Sequence, residues 1–331
     1  MTIAGDVNNF TQPDSRPLIK AVKPSLIKGL LQADSFDVQQ WQRYIEQEIG
    51  FVLPNVQLQW LINVIEHTAL SHGLTVEKLW CQLPKNDEVR QQLLDKVLIH
   101  ESRFFRHMPS IDFVTKSALQ HQRQQLTATS TDRGHNNDAN DLFRIWSVGC
   151  ASGQETWSLA MGLASEQLIN YTILGTDVSQ QAITKARLGQ YDKRQQSLIP
   201  DLCQQFVQPL RAKCDISQSH FYKVSTAKKA MTGTQTDWQI APTLRRYVSF
   251  ALHNIIEQKP PTSHLQHVII CQNMLLDFRK FDQRDILARL SEQCALGGYI
   301  ILAPGEALFW RPSNMRRIAH PQVNVWQKIN V

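Results

Sequence analysis

The chain has 331 residues, of which 42% are hydrophobic, and a formal net charge of +6, which supports ordinary packed cores in about two domains. No apolar run reaches the roughly 18 residues of a membrane span, and the first residues lack a secretory signal, so a cytoplasmic protein without membrane insertion is expected. The six cysteines show neither C-x-x-C pairing nor metal-ligand spacing, which excludes a disulfide framework and a metal centre and predicts reduced thiols.

Residues 1 to 33 mix Pro, Asn, Lys and Ser with little periodicity and are expected to form a flexible tail. An N-terminal helical domain is expected over residues 34 to 125. Asp34 or Ser35 can cap a first helix whose Trp41, Tyr44, Ile45 and Ile49 share one face, and Gly50 ends it. Val56 to Gly73 reads as a second helix, with Leu58, Leu61, Ile62, Ile65 and Ala69 inward. Val76 to Leu83 and Asp87 to Ile99 supply further helical pieces. Residues 126 to 141 are polar and read as a linker. Residues 142 to 331 then form a second domain with an inserted subdomain at about 192 to 245.

The second domain opens on the most informative stretch. An apolar run from Ile145 to Val148 ends in Gly149, Ala151, Ser152 and Gly153, then passes into a helix. This is the strand, glycine-rich turn and helix of a nucleotide-cofactor site. It has neither the G-x-G-x-x-G dinucleotide pattern nor a phosphate-loop lysine. Glu155 sits just past the turn instead, where a carboxylate repels a pyrophosphate but suits a positively charged cofactor. S-adenosylmethionine, with its sulfonium and amino groups, meets that requirement. On spacing alone, any strand-to-helix turn of an α/β protein fits about as well.

Further along, Tyr171 to Gly175 reads as a strand ending in Thr176-Asp177, with Asp177 placed 28 residues after Gly149. A second strand would there deliver a carboxylate to ribose hydroxyls; the plainer reading of Asp177 is a helix N-cap. A helix from Ser179 to Leu188 stops at Gly189. Strands follow at Tyr247 to Leu252, leading into His253-Asn254-Ile255, and at His267 to Ile270, ending in Cys271-Gln272-Asn273. A helix from Gln283 to Ala295 precedes a strand from Tyr299 to Ala303. Such alternation predicts an α/β, Rossmann-like, doubly wound parallel sheet with its site along the strands' carboxyl ends.

Charge is uneven. Residues 185 to 246 hold 11 Lys and Arg against 4 Asp, which is either a solvated basic surface or a docking face for an acidic partner. No aromatic-and-basic module of a nucleic-acid binder is present, so nucleic acid is not an expected partner.

The runs E-S-R-F-F-R (Glu101 to Arg106), W-S-V-G-C-A-S-G-Q-E-T-W-S, L-G-T-D-V-S, A-R-L-G-Q-Y, V-S-F-A-L-H-N-I, C-Q-N-M-L-L-D-F and G-G-Y-I-I-L-A-P-G-E resemble, in order and spacing, the motifs of CheR-type methyltransferases. The resemblance covers roughly residues 34 to 310. It implies a Rossmann-like methyltransferase with a small helical domain, which transfers a methyl group from S-adenosylmethionine to chemoreceptor glutamates and leaves S-adenosylhomocysteine. The partner it implies is the helical cytoplasmic domain of a chemoreceptor. Carried over by motif, the cofactor residues are His100, Ser102, Arg106, Gly149, Glu155, Asp177, Asn254, Ile255, Gln272 and Asn273. Arg106 and Asp277 fall at positions that face the reaction. Phe104 and Phe105 are read as packing. A glutamate carboxylate, with a reference pKa of about 4.3, is already ionised at neutral pH, so orientation rather than a general base carries the chemistry.

The departures from the family pattern are specific. His100 replaces an Asn, Ser102 a Thr and Gln272 an Arg, and Gln can replace Arg as a donor but not as a charge. Asp277 replaces a Tyr, and a carboxylate there repels a glutamate unless it turns away or pairs with a cation such as Arg279. The helix from Val56 to Gly73 has no Lys or Arg. In the insert only Gly233 hints at the tight turns of a β-subdomain, which leaves a tether to a receptor's C-terminal pentapeptide without support. These differences suggest a divergent, PilK-like branch serving type IV pilus signalling. The alternatives are a methyltransferase for another protein or a small molecule, and a cofactor-binding regulatory protein without catalysis.

Overall fold

A computed structural model describes residues 37–98, 101–129, 142–210 and 236–330. The expected tail, His100, residues 130–141 and the middle of the insert lie outside the described residues.

The chain begins with α1 (Val38–Ile49), which buries Trp41, Tyr44, Ile45 and Ile49 as the periodicity predicts. Its cap is Asp37 rather than Asp34 or Ser35: the Asp37 carboxylate accepts the Gln39 N–H at 3.0 Å. Gly50, at φ +75°, ends the helix. Then come α2 (Leu58–Ser71), α3 (Val76–Gln82) and α4 (Asp87–Val97). With α1 they close a core of their own around Leu61, Ile65, Leu79 and Leu93.

The next helix, α5 (Met108–Thr129), departs from expectation. Its Ile111, Val114 and Ala118 are buried in the core of the sheet rather than in that of α1 to α4, and it runs past residue 126, where the linker was expected to start. A Cβ at Gly162 would lie 2.9 Å from Ile111, so glycine is what lets this helix settle close to its neighbour. The spacing of Ile111, Val114 and Ala118 is that of one helical face.

Chain order then gives β1 (Phe143–Val148), α6 (Gln154–Ser165), β2 (Tyr171–Asp177) and α7 (Gln180–Leu188). The short β3 (Gln190–Asp192), β4 (Val207–Pro209) and β5 (Thr236–Ile240) follow. A single turn, α8 (Pro242–Arg245), leads to β6 (Val248–Leu252), β7 (Gln266–Cys271) and α9 (Lys280–Gln293). β8 (Cys294–Leu302), β9 (Met315–Ile318) and β10 (Asn324–Lys328) complete the described chain. The main sheet has the order β6-β2-β1-β7-β8-β10-β9. Its first five strands are parallel, as the strand–helix alternation requires. The antiparallel β10 and β9 were not anticipated, and β8 starts at Cys294, five residues earlier than expected. β3, β5 and β4 make a small antiparallel sheet, anchored where the Tyr191 hydroxyl donates to Ser152 O at 2.7 Å.

Apolar residues cover both faces of the main sheet. One face carries Ile145, Ile173, Leu163 and Ile270; the other carries Trp146, Ile269, Ile300 and Leu287. Phe104 belongs to the first of these, packed edge-on to Tyr191 with ring centroids 4.8 Å apart, in keeping with a packing role.

Candidate functional site

From β1 the chain winds outward to β2 and β6, then returns to β7 on the other flank of β1. At such a reversal the connections diverge and leave a crevice at the strands' carboxyl ends. A crevice of about 1060 Å³, its open mouth included, lies there.

Its floor begins at Gly149. This residue has φ +67°, and a Cβ on it would stand 2.7 Å from the Met274 sulfur, so a side chain there strains the backbone and displaces Met274. Ala151, also at positive φ, donates its N–H to Asp177 Oδ2 at 2.8 Å. The other Asp177 oxygen accepts the Ser179 N–H at 2.9 Å. Asp177 therefore joins the glycine turn to the end of β2. It is not the N-cap of α7: that role belongs to Ser179, whose hydroxyl accepts the Ala182 N–H at 3.0 Å.

Glu155, in the first turn of α6, lines the same crevice, and its Oε1 accepts the Ser147 hydroxyl at 2.8 Å. Burial pushes its carboxyl up to about 7, against the pull of the Ser147 hydroxyl and the Arg106 guanidinium and with a further push from Glu306. A carboxyl held this way is stabilised in its ionised form by an arriving cation.

Ser102 and Arg106 reach the crevice from the segment between α4 and α5. The Arg106 guanidinium donates to Glu101 O at 2.9 Å. On the far wall stand Asn254 and the buried Ile255. Gln272 and Asn273 line the crevice beyond β7, with Asn273 at φ +60°. The Gln272 amide nitrogen donates to Ser110 Oγ at 3.0 Å and to Leu302 O at 3.2 Å. Gln272 thus acts as a donor here, toward Ser110 and Leu302.

Asp277 also lines the crevice, and burial raises its carboxyl above the ordinary value. Its suggested partner Arg279 pairs with Glu46 instead. The expected site residues from Ser102 to Asp277 therefore meet in one crevice, and His100 falls outside the described residues.

Sequence reasoning missed other walls of this crevice. Ile49, Phe51 and Phe278 close one side, with Phe51 and Phe278 joined as an antiparallel bridge. Ser147, the lone polar residue in the apolar run of β1, holds Glu155. Glu306 stands behind the exit turns of β7 and β8; its acidic side chain just after a strand end was the available signal. Among the described residues, no group of three or more His, Cys, Asp or Glu could hold a metal ion, and no helix is long and apolar enough to cross a membrane.

The acid set fits a cationic nucleoside cofactor. Glu155 and Asp177 flank the Gly149 turn, and the buried, apolar Ile255 lines the same crevice. Comparison with known proteins points the same way. Residues 100–323 match the family described as "CheR methyltransferase, SAM binding domain". The chain is 22% identical over 301 residues to chemotaxis protein methyltransferase Cher2 of Pseudomonas putida, covering 87% of this chain and 96% of that protein. It is 23% identical over 301 residues, with the same coverage, to chemotaxis protein methyltransferase 1 of Pseudomonas aeruginosa. The probable biofilm formation methyltransferase WspC of the same species is 24% identical over 255 residues, 76% of this chain and 52% of that one.

Proposed function

The chain belongs to the CheR methyltransferase family, and from that premise we propose that it forms methyl esters on glutamate side chains of a chemoreceptor's cytoplasmic helical domain, in chemotaxis or type IV pilus signalling. The observation that carries this reading is the convergence of Glu155, Asp177 and the Gly149 turn with Ser102 and Arg106 from outside the sheet.

When bound, S-adenosylmethionine supplies an electrophilic methyl group on its sulfonium. This chain's residues have to hold that group and exclude water. Glu155 accepts from the cofactor's amino group, while Arg106 and Ser102 take its carboxylate end. Asp177 holds the glycine turn through its bonds to the Ala151 and Ser179 N–H groups and stands where a carboxylate would serve the ribose hydroxyls. Asn254 and Ile255 border the adenine. A glutamate carboxylate arrives ionised, so alignment with the methyl group and exclusion of solvent supply the rate.

Asp277 favours a second reading. Its carboxyl lines the crevice and Arg279 is committed to Glu46, so an acceptor with a donor group, on another protein or a small molecule, suits this wall better than a bare carboxylate. Incubation with labelled S-adenosylmethionine and candidate receptor cytoplasmic domains separates the two. Base-labile methyl esters on the receptor support glutamate transfer; labelling that resists base, or none on any receptor, removes it.

A further inference from the structure

The short loop that joins Asp177 to α7 is held from outside the sheet. Gln91 and Asp95 stand one helical turn apart on α4. The Gln91 amide nitrogen donates to Val178 O at 2.9 Å and to Asp95 Oδ1 at 3.1 Å, which uses both of its hydrogens. The other Asp95 oxygen accepts the Gln181 N–H, in the first turn of α7, at 3.2 Å. Val178 lines the crevice and also packs against the core of α1 to α4.

Three bonds in series therefore run from Val178 to Gln181 and clip the loop on both sides of Ser179. That residue holds one Asp177 oxygen through its N–H at 2.9 Å and caps α7 with its hydroxyl. A helix start leaves its first N–H groups open; here Ser179 takes one and Asp95 another, so α4 completes the start of α7. The remaining holds on Asp177 come from within the sheet: the His253 N–H on its carbonyl at 2.9 Å and the Ala151 N–H on its second oxygen at 2.8 Å. A binding carboxylate keeps its aim only where the groups around it are themselves held.

We propose that Gln91 and Asp95 are positioning residues that act through Ser179 to aim Asp177 at the ribose hydroxyls of the cofactor, which makes α4 a determinant of ribose recognition. The inference rests on the cofactor reading and is independent of the acceptor. A contact that only supported the fold would weaken every nucleoside ligand alike. A contact that aims Asp177 is felt only by a ligand that carries the hydroxyls.

The test is calorimetric titration of the full chain with S-adenosylhomocysteine and with its dideoxy analogue, which lacks both ribose hydroxyls. The parent should prefer the first by about tenfold or more, the worth of a hydrogen bond to a charged group. Gln91→Met keeps side-chain length and helix propensity but removes both donors. It and Asp95→Ala should each lower the preference to about threefold or less, with affinity for the dideoxy analogue within a factor of about two of the parent's. Asp95→Asn retains an acceptor for the Gln181 N–H and should keep most of the preference. Gln91→Met serves as the readout if Asp95→Ala does not fold. An unchanged preference in either variant, or equal weakening of both ligands, overturns the proposal. A parent that binds both ligands equally also overturns it while the cofactor reading stands, and a parent that binds neither overturns the cofactor reading as well.

Discussion

Asn254 donates its side-chain amide to the backbone carbonyl of Glu48 at 2.7 Å, across 206 positions of sequence. The bond ties a wall of the crevice to the last turn of α1. Nearby, the Val52 N–H donates to Asp277 O at 2.8 Å, and Gly50 lies so close to Phe278 and Ile256 that a Cβ would meet both within 3 Å. The helical domain thus forms one side of the crevice. A chain starting at residue 101 keeps α5 and the sheet but loses Ile49, Phe51 and the Glu48 acceptor. Its cofactor affinity, measured by calorimetry, should fall by at least about tenfold, the worth of one or two such contacts. Full-strength binding would show that the helical domain is no part of the site.

Glu155 should trade stability for binding. Its carboxyl is raised from 4.5 to about 7 in the folded protein. A raised acid favours folding fully below the unfolded value, and that contribution is lost as pH rises through the folded value. Between about pH 4.5 and 7 the ligand-free protein therefore loses stability through this group. Glu155→Gln should unfold at higher urea than the parent at pH 8, with little difference at pH 4.5. The same change should weaken cofactor binding by at least about tenfold through loss of a charge-assisted bond. Equal midpoints at both pH values would show that the burial cost is relieved elsewhere.

Asp177→Ala should behave in the opposite way, losing on both counts. The carboxylate that would serve a ribose also satisfies the N–H groups of Ala151 and Ser179. Leaving two donors unpaired costs about 1–3 kcal/mol each, readable as a lower denaturation midpoint together with tenfold or greater loss of cofactor affinity. A variant of parental stability would mean that the glycine turn holds its shape without the carboxylate.

Much of this was legible in the chain because it is local. The face formed by Trp41, Tyr44, Ile45 and Ile49, the turn at Gly149 and the strand ends at Asp177 and Gln272 follow from periodicity and from glycine at positions needing positive φ. The features that were hidden depend on distant partners. Where Gln272 donates is decided by Ser110, 162 residues away. The place of α5 is decided by Gly162 on a helix not yet formed when its sequence is read. β9 and β10 are four and five residues long. β10 owes its existence to pairing with the edge of β8, and β9 to pairing with β10, rather than to any alternation of their own.

For Asp277 the outcome turns on charge. If the acceptor is a glutamate, Asp277→Tyr and Asp277→Asn both remove the repulsion. Each should leave methylation of a receptor domain unchanged or faster, with cofactor affinity within a factor of about two. Abolished transfer in both variants, with cofactor binding intact, would place Asp277 in the chemistry and favour an acceptor that is not an ionised carboxylate.

The core of α1 to α4 is separate from that of the sheet, and α5 sides with the sheet. The stretch carrying Ser102 and Arg106 is therefore the joint between the two bodies, and it borders the crevice as well. Anything seated there is gripped from both sides of that joint, so occupancy and alignment are linked quantities. A receptor that held the two bodies in register would tighten the cofactor, and the bound cofactor would tighten the hold on that receptor by the same factor.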